Sequence, residues 1–401
     1  MTRPTHRLNP ALIRRLNVAR VFHALRLAEG ASQADLVRVT GLDPATVSTV
    51  VRGLRADGWI RSERERADGR SGRPPTRLSI DPAAGLLIGA RLEPGIVRIL
   101  ATTLAGTPRG AWQGASGPSV DDALAALTRG AEELLQSIGS RWSDVKAVGV
   151  GVPALMTLDG RVAHGPNLRW TDVPLQTVLA ARWSLPVAVD NDTAAAALAE
   201  KLFGAAREAR DFVVIAGHSG VGGALYLGGR LHRGRGGFAG EIGHVRVVPD
   251  GRRCSCGDLG CLEAYLSERG LEAELLARGR RLSGYEAIAA AARQGDETVV
   301  AVLGEAGTLL GRVVADVVDL LDPEMLVLAG SLCHVAPWLL PALERERERE
   351  SLGAYRTRCE VVTSTFGPDA VTMGGIGLAM EAVLSLPSWL VDQEAVPERL
   401  G

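Results

Sequence analysis

The sequence predicts an α/β protein that joins a small, basic, mostly helical N-terminal part to a larger acidic body. Residues 1–80 hold fifteen arginines against seven acidic residues, a balance of +8, whereas the rest of the chain balances to −9. Apolar residues recur at helical spacing in the first sixty residues, and short apolar runs later alternate with glycine turns and helical segments. At 401 residues, the chain is long enough for two or three domains.

The composition is that of an ordinary globular chain, with 46% hydrophobic and 23% charged residues. No run of eighteen or more apolar residues is present, so no membrane span is expected. Arginines interrupt the N-terminal segment, which therefore lacks the continuous apolar core of a secretory signal. Five cysteines, three of them in one short segment, favour a reducing cytoplasm.

The basic N-terminal part predicts a winged helix-turn-helix over 1–81. A first helix over 17–28 carries an apolar stripe, and Ser32 caps a second helix. Asp43 followed by Pro44 starts a third helix, since this pair is an N-cap and a first helical position. The small polar outer face of that helix suits a recognition helix in the major groove of DNA. Its candidate DNA contacts are Thr46, Ser48, Thr49 and Arg52.

The predicted wing follows the third helix. Two strands over 59–62 and 76–80 form a hairpin whose glycine-rich connection carries Arg70 and Arg73. These arginines are expected to reach the minor groove or the phosphates. The alternative interpretation is a three-helix protein-interaction module with a solvated loop.

The acidic body predicts strands that alternate with helices, which indicates two α/β lobes with a cleft at the strand ends. The predicted strands cover 86–90, 145–152, 186–189, 212–216 and 325–329. Asp190 is interpreted as a cap for the alanine-rich helix over 193–201. The alternating Glu/Arg tract over 344–350 is interpreted as a solvated helix face.

A dense group of metal-ligand side chains is the most specific motif of the body. His244, Cys254, Cys256 and Cys261 lie within eighteen residues. Three thiolates and one imidazole form a closed tetrahedral set for zinc with no open position. The motif therefore predicts a structural Zn²⁺. The alternative is three reduced, partly buried cysteines and a surface histidine.

Several longer motifs resemble the ROK family over residues 15–385. They are HGPNLRW at 164–170, VDNDTAAAALAE at 189–200, GHSGVGGALYLGGRLHRGRGGFAGEIGH at 217–244, CSCGDLGCLEAY at 254–265 and LDPEMLVLAGSL at 321–332. The family contains sugar-responsive repressors and sugar kinases on a two-lobed actin-like ATPase (ribonuclease H-like) fold. The resemblance implies lobes over 82–190 and 191–401, with the C-terminal helix returning to the first lobe. A winged helix is typical of the repressor branch.

The resemblance also implies a sugar site. The implied sugar contacts are Asn167, Asn191, Asp192, Glu241, His244 and Glu263. Asp192 stands where family kinases have the catalytic base, and His244 would serve both zinc and sugar. Asn167, which follows Pro166, has the alternative interpretation of a turn former.

Kinase activity is not expected, because the first phosphate loop of family kinases is replaced by Arg91-Leu92-Glu93-Pro94-Gly95. A proline offers no N–H to a phosphate, and Glu93 would repel one. The resemblance then implies a regulator, in most members a repressor, of carbohydrate genes such as those of xylose metabolism. Its partners would be operator DNA, a small sugar effector and further copies of the chain in a homodimer or homotetramer. The alternatives are a hexose or hexosamine kinase with an appended DNA-binding domain, and a DNA-binding protein whose cleft has no ligand.

Overall fold

The computed structural model describes residues 10–28, 30–64, 76–349, 353–356 and 358–384. The predicted wing residues Arg70 and Arg73 lie outside these ranges. Within them, the chain forms a small N-terminal domain and two α/β lobes that face each other across a cleft.

The N-terminal domain contains α1 (Pro10–Leu27), α2 (Gln33–Thr40), α3 (Pro44–Ala56) and the antiparallel strands β1 (Ile60–Arg64) and β2 (Thr76–Ile80). Ser32 and Asp35 form a capping box at the start of α2. Asp43 caps α3 by accepting the Thr46 N–H at 2.9 Å. The apolar stripe of α3 is buried against the other helices. The predicted winged helix-turn-helix is confirmed.

The first lobe contains β3 (Leu86–Glu93), β4 (Ile96–Thr103), β5 (Pro108–Ala115), α4 (Val120–Ser137), β6 (Val145–Val152), β7 (Leu155–Met156), β8 (Val162–Gly165), β9 (Trp170–Val173), α5 (Leu175–Trp183) and β10 (Val187–Asn191). Its main sheet has the order β5-β4-β3-β6-β10. The pairs are antiparallel from β5 to β3 and parallel from β3 to β10.

The rest of the chain contains α6 (Asp192–Phe203), β11 (Phe212–Gly217), β12 (Val221–Leu227), β13 (Arg230–His232), α7 (Glu263–Leu266), α8 (Glu268–Ala277), α9 (Gly284–Arg293), α10 (Glu297–Leu321), β14 (Met325–Gly330), α11 (Ala336–Glu348), α12 (Gly353–Arg356), β15 (Glu360–Thr363) and α13 (Ala370–Val383). The second sheet has the order β13-β12-β11-β14-β15 and repeats the pairing directions of the first. This duplicated arrangement is the two-lobed actin-like fold that the sequence predicted.

Two helices, α6 and α13, pack against each other between the sheets. Helix α13 comes from the end of the described chain and lies on the sheet of the first lobe. The approach requires glycine, because a Cβ on Gly149 would lie 2.0 Å from the carbonyl oxygen of Gly375. Strand β6 and helix α13 are therefore in close backbone contact.

The prediction of a solvated Glu/Arg face over 344–350 is wrong at one residue. Arg347 is only 3% exposed. Its Nη1 donates to the carbonyl oxygen of Cys359 at 2.8 Å, and its Nη2 pairs with Glu344. The helix period alone does not show that α11 ends against the segment leading into β15.

One helix, α10, is long and apolar enough to span a membrane by length and composition, and 56% of its most apolar stretch is buried. It contributes eight buried residues to the apolar core of the second lobe, from Val299 to Val318. Its apolar character is accounted for by this packing.

Candidate functional site: the interlobe cleft, the thiol cluster and the exposed face of α3

A cleft of about 330 Å³ lies between the lobes, at the ends of strands from both sheets. Strand β10 ends at Asn191 and β11 ends at Gly217, so the residues after both strands contribute to it. The structure brings all six implied sugar contacts to this one cleft, namely Asn167, Asn191, Asp192, Glu241, His244 and Glu263.

Asn191 is the residue that caps α6. Its Oδ1 accepts the N–H groups of Thr193 and Ala194 at 2.9 and 3.1 Å, and its Nδ2 donates to the carbonyl oxygen of Ala154 at 3.1 Å. The interpretation of Asp190 as the cap is therefore wrong. Asp190 is 9% exposed, and its carboxylate pairs with Arg233 of the second lobe. Asn191 thus caps α6, and Asp190 links the two lobes.

Asp192 is the first residue of α6 and faces the cleft. Its Oδ1 accepts the Thr193 N–H at 2.8 Å. Burial raises the pKa of Asp192 to about 6, although the nearby Arg91 guanidinium works in the opposite direction. A carboxylate at this position is therefore poised to accept a hydrogen bond from a ligand hydroxyl at neutral pH.

Arg91 lies at the predicted position of the degenerate phosphate loop, near the end of β3. Its side chain is 3% exposed, pairs with Glu93 and donates to the carbonyl oxygen of Pro368 at 3.1 Å. Pro94 and Gly95 form the two-residue turn between β3 and β4. A fixed guanidinium and a carboxylate therefore occupy this position, where the loop of a kinase would offer free backbone N–H groups.

The other rim of the cleft is formed by the segment around Glu241, His244 and Glu263. Glu263, at the start of α7, is 8% exposed, and its Oε2 accepts the Val221 N–H at 3.0 Å. Its Oε1 accepts hydrogen bonds from Cys254 Sγ at 3.5 Å and from Ser255 Oγ. Glu241 keeps 44% of its side chain exposed. Glu263 is thus engaged with protein donors, whereas Glu241 remains open to a ligand.

His244, Cys254, Cys256 and Cys261 form one compact cluster, with the ligand atoms all within 4.8 Å of one another. Cys254 Sγ lies 3.6 Å from His244 Nδ1, and Cys256 Sγ lies 3.8 Å from Cys261 Sγ. A tetrahedral ion with bonds of about 2.3 Å separates its ligand atoms by roughly 3.8 Å. The cluster therefore fits a tetrahedral metal ion.

The cysteine loop is shaped by two glycines with positive φ, Gly257 at 98° and Gly260 at 78°. Burial raises the pKa of the Cys254 thiol to about 12 and also raises that of Cys261. A cation in the cluster would favour the thiolate forms that burial disfavours. The chemistry of this donor set thus agrees with its geometry.

His244 connects the cluster to the cleft. Its Nδ1 faces Cys254, while its Nε2 lies 3.8 Å from the carboxylate of Glu241. When Nδ1 is a metal ligand, the neutral ring carries its proton on Nε2. The ring then presents an N–H donor on the side of the cleft.

The predicted DNA-facing residues lie on the outer side of α3. Thr49 and Arg52 are exposed, and Thr46 and Ser48 are partly exposed. Two hydroxyls already have local partners, since Thr46 Oγ1 donates to Asp43 at 2.6 Å and Thr49 Oγ1 donates to the Ala45 carbonyl at 2.9 Å.

Sequence reasoning did not single out Arg233 or His218. His218 is buried in the turn after β11, and its Nδ1 accepts the Ser331 N–H at 3.2 Å. Burial lowers the pKa of His218 well below its usual value. The only sequence signal for His218 is its position in a glycine-rich turn after a strand. Arg233 has none beyond its place in a loop of small residues.

Comparison with known proteins finds two family patterns in the chain. The ROK family pattern matches residues 119–382, and the MarR family pattern matches residues 14–71. The xylose repressor of Caldicellulosiruptor bescii is 26% identical over 399 residues, with 95% of this chain and 99% of the relative covered. The DNA-binding transcriptional dual regulator NagC of Escherichia coli is 27% identical over 390 residues, with 94% and 95% covered.

Solved structures include both branches of the family. A ROK family transcriptional regulator described as a homologue of the E. coli MLC protein superposes with a TM-score of 0.81 at 30% identity, covering 95% of this chain and 99% of that one. A ROK family glucokinase from Streptomyces griseus, in complex with glucose and AMPPNP, gives a TM-score of 0.66 at 30% identity and covers 74% of this chain and all of its own. The chain belongs to the ROK family.

Proposed function

We propose that the chain is a sugar-responsive transcriptional repressor of carbohydrate uptake or catabolism genes. The exposed face of α3 and the wing arginines Arg70 and Arg73 bind operator DNA, and an effector sugar binds in the interlobe cleft. The observation that carries this proposal is the presence, in one chain, of a polar recognition face and a ligand-sized cleft whose phosphate-loop position is filled by Arg91 and Glu93.

The cleft offers groups that suit the hydroxyls of a sugar. The carboxylates of Asp192 and Glu241 accept hydrogen bonds from hydroxyls, and His244 Nε2 donates one. Asn167 adds an amide, and Asn191 keeps one amide N–H beyond those engaged in its cap. Glu263 lies at the rim of the cleft, where its buried carboxylate accepts a hydrogen bond from Ser255 Oγ. A volume of about 330 Å³ is at the small end of ligand pockets and suits a monosaccharide.

Xylose is the first candidate effector, because a xylose repressor is among the relatives that span almost the whole chain. N-acetylglucosamine is the second, because the N-acetylglucosamine repressor of Escherichia coli O157:H7 is 27% identical over 390 residues. Both sugars are neutral, which agrees with a cleft that has two acidic side chains open to ligand and no arginine among the described residues that line it.

The chain is proposed not to be a kinase. Phosphoryl transfer needs ATP phosphates and magnesium held in line with the acceptor hydroxyl. Arg91 and Glu93 form a buried ion pair at the predicted phosphate-loop position, and Pro94 has no N–H to offer. Asp192, the equivalent of the kinase base, then serves as a hydrogen-bond acceptor for the sugar.

The thiol cluster is proposed to hold a structural Zn²⁺ through His244, Cys254, Cys256 and Cys261. Bound zinc would stabilise the thiolate forms of the three cysteines and tie the loop of 254–261 to the segment of His244. Its contribution is to fix the positions of Glu241 and His244 at the rim of the cleft. Because all four ligands come from protein, no chemistry on the sugar is assigned to the metal.

The assembly is proposed to be a homodimer or homotetramer in the cytoplasm. Two winged helices related by a twofold axis bind two half-sites whose spacing follows the geometry of the dimer. Sugar acts as an inducer if it binds the DNA-free arrangement more tightly than the DNA-bound one.

A thermal-shift experiment on the purified full-length protein tests the ligand. Xylose, N-acetylglucosamine, glucose and mannitol are each titrated upward from about 10 mM. A ligand at tenfold excess over its Kd stabilises the folded protein by about 1.4 kcal/mol. We expect one sugar to raise Tm and mannitol to leave it unchanged. A parallel ATP-consumption assay is expected to stay at background, and turnover of the binding sugar would favour the kinase. A Tm unaffected by every sugar would favour a cleft without a ligand.

A further inference from the structure

A second cavity, of about 820 Å³, lies where the N-terminal domain meets the body of the chain. It shares no lining residue with the interlobe cleft. Leu27 from α1 forms one side, and Leu100 and Ala111 from the first sheet form another. Phe203 at the end of α6 and Phe366 before α13 complete the apolar part of the wall. We call this space the junction cavity.

Positive charge gathers around the junction cavity. Arg26, Arg98 and Arg207 line it, and Asp369 is the one acidic side chain among the described residues that do so. Asp369 lies 3.5 Å from Arg98 and is 71% exposed, so it offsets that charge weakly. Burial and the nearby Arg207 lower the pKa of Arg26 to about 10. The lining therefore has a net charge of +2.

Three buried polar atoms of the lining have no hydrogen-bond partner within the described part of the chain. They are Nε of Arg26, Nε of Arg98 and Oγ1 of Thr372. Thr372 is only 4% exposed. Burying a polar group without a partner costs free energy, and the guanidinium groups of Arg26 and Arg98, which carry two of these atoms, line the cavity.

The start of α13 adds to the positive electrostatic potential of the junction cavity. Thr372 lies in the first turn of this helix, and Asp369 is the N-cap residue before it but makes no side-chain capping hydrogen bond. The N-terminus of a helix of fourteen residues carries a partial positive charge. The N-terminus of α13 and the guanidinium groups of the lining thus both favour an anionic ligand.

We infer that the junction cavity binds a phosphate monoester that carries an apolar or aromatic body. A phosphate monoester has a charge of about −2 at neutral pH, which matches the net charge of the lining, and its oxygens accept the paired N–H groups of arginine. The body of the ligand would pack on Leu100, Phe203 and Phe366. The volume of about 820 Å³ exceeds what inorganic phosphate alone would fill.

Such a ligand would join the DNA-binding domain to the body. Arg26 belongs to α1, whereas Arg98 is on β4 and Arg207 follows α6. A phosphate that bonds to residues of both parts holds them in one relative position. This site would therefore act beside the sugar cleft and independently of it.

Isothermal titration of the full-length protein tests the site with adenosine 5′-monophosphate and phenyl phosphate as probes, and with adenosine and inorganic phosphate as controls. Arg207→Gln is the test variant, because Arg207 is exposed and its replacement leaves the core intact. Arg210→Gln, three residues away and outside the lining, is its matched control. Glu241→Ala reports on binding in the cleft.

We expect at least one monoester to bind more tightly than both controls, and Arg207→Gln to weaken it about tenfold, the equivalent of about 1.4 kcal/mol. Arg210→Gln and Glu241→Ala should bind it as the wild type does. The inference is overturned if neither monoester binds, if inorganic phosphate binds as tightly as the esters, or if both glutamine variants behave alike. Loss of binding in Glu241→Ala would also overturn it, by placing the probe in the cleft.

Discussion

The carboxylate of Asp190, at the end of the first lobe's sheet, is ion-paired with the guanidinium of Arg233 in the second lobe. Both side chains are largely buried, at 13% and 14% exposure. The pair joins the lobes beside the cleft, because the next two residues, Asn191 and Asp192, line it. A movement of the lobes on ligand binding must therefore keep or break this contact.

A double-mutant cycle tests the strength of this link. Asp190→Asn and Arg233→Gln should each lower the free energy of unfolding by about 3 kcal/mol, because each removes one charge of a buried ion pair. The free energy of unfolding lost in the double variant should be smaller than the sum of the two single losses. The difference is the coupling energy, which is about 1–3 kcal/mol for residues in contact. Urea unfolding measures all four proteins, and strictly additive losses would show that the two side chains are not coupled.

The thiol cluster predicts a metal content that depends on one exposed cysteine. Cys256→Ser should reduce bound zinc from about one ion per chain towards zero after dialysis, because three ligands do not close a tetrahedral structural site. Cys333→Ser is the control, since Cys333 lies outside the cluster. Metal analysis by mass spectrometry gives the occupancy. Full zinc in the Cys256 variant would rule out the proposed ligand set.

The outer face of α3 predicts a DNA contact at Arg52. Arg52→Ala should weaken binding to a DNA fragment selected by the protein itself about tenfold or more, because one arginine contact to a base contributes about 1–3 kcal/mol. The exposed Arg281 of the second lobe provides the control variant Arg281→Ala. Gel-shift titrations compare the two variants. Equal affinities would remove Arg52 from the interface.

The raised pKa of Asp192 predicts a pH-dependent effect on stability. A carboxyl whose pKa in the folded chain, about 6, lies above its unfolded value destabilises the fold when it is ionised. This penalty is absent below about pH 4 and complete above about pH 6. Asp192→Asn should therefore stabilise the protein at pH 8 by up to roughly 3 kcal/mol, less where solvent reaches the carboxylate, and the gain should vanish near pH 4. Urea unfolding at pH 8 and near pH 4 measures the stability that the substitution gains. An equal gain at the two pH values would contradict this prediction.

Local features of the fold were accessible from the sequence. The caps at Ser32 and Asp43 and the strand over 145–152 all depend on neighbouring residues, and the structure has them where they were predicted. The cluster of His244 with three cysteines was also readable, because its ligands lie within one short segment. Motif spacing carries this information directly.

Contacts between distant residues were not accessible. Arg91 meets the carbonyl oxygen of Pro368, Asp190 meets Arg233, and Arg347 meets Cys359, all through tertiary packing. Neither helical nor strand periodicity encodes which partner a buried arginine will have. The junction cavity belongs to the same class, because its three arginines come from separate elements. The sequence thus predicts the elements and the motif, and the structure supplies the pairing of charges between them.

The most direct test of the proposed repressor is the release of DNA by sugar. Fluorescence anisotropy follows the full-length protein on a labelled fragment that it selects from a random library, while the sugar that raises its Tm is added. We expect the apparent Kd for DNA to rise at least fivefold, within the usual range of allosteric coupling. Glu241→Ala should bind DNA normally and not respond, while Glu132→Ala, an exposed change on α4, should respond as the wild type does. A DNA affinity that no sugar alters, or a full response in Glu241→Ala, would contradict the account.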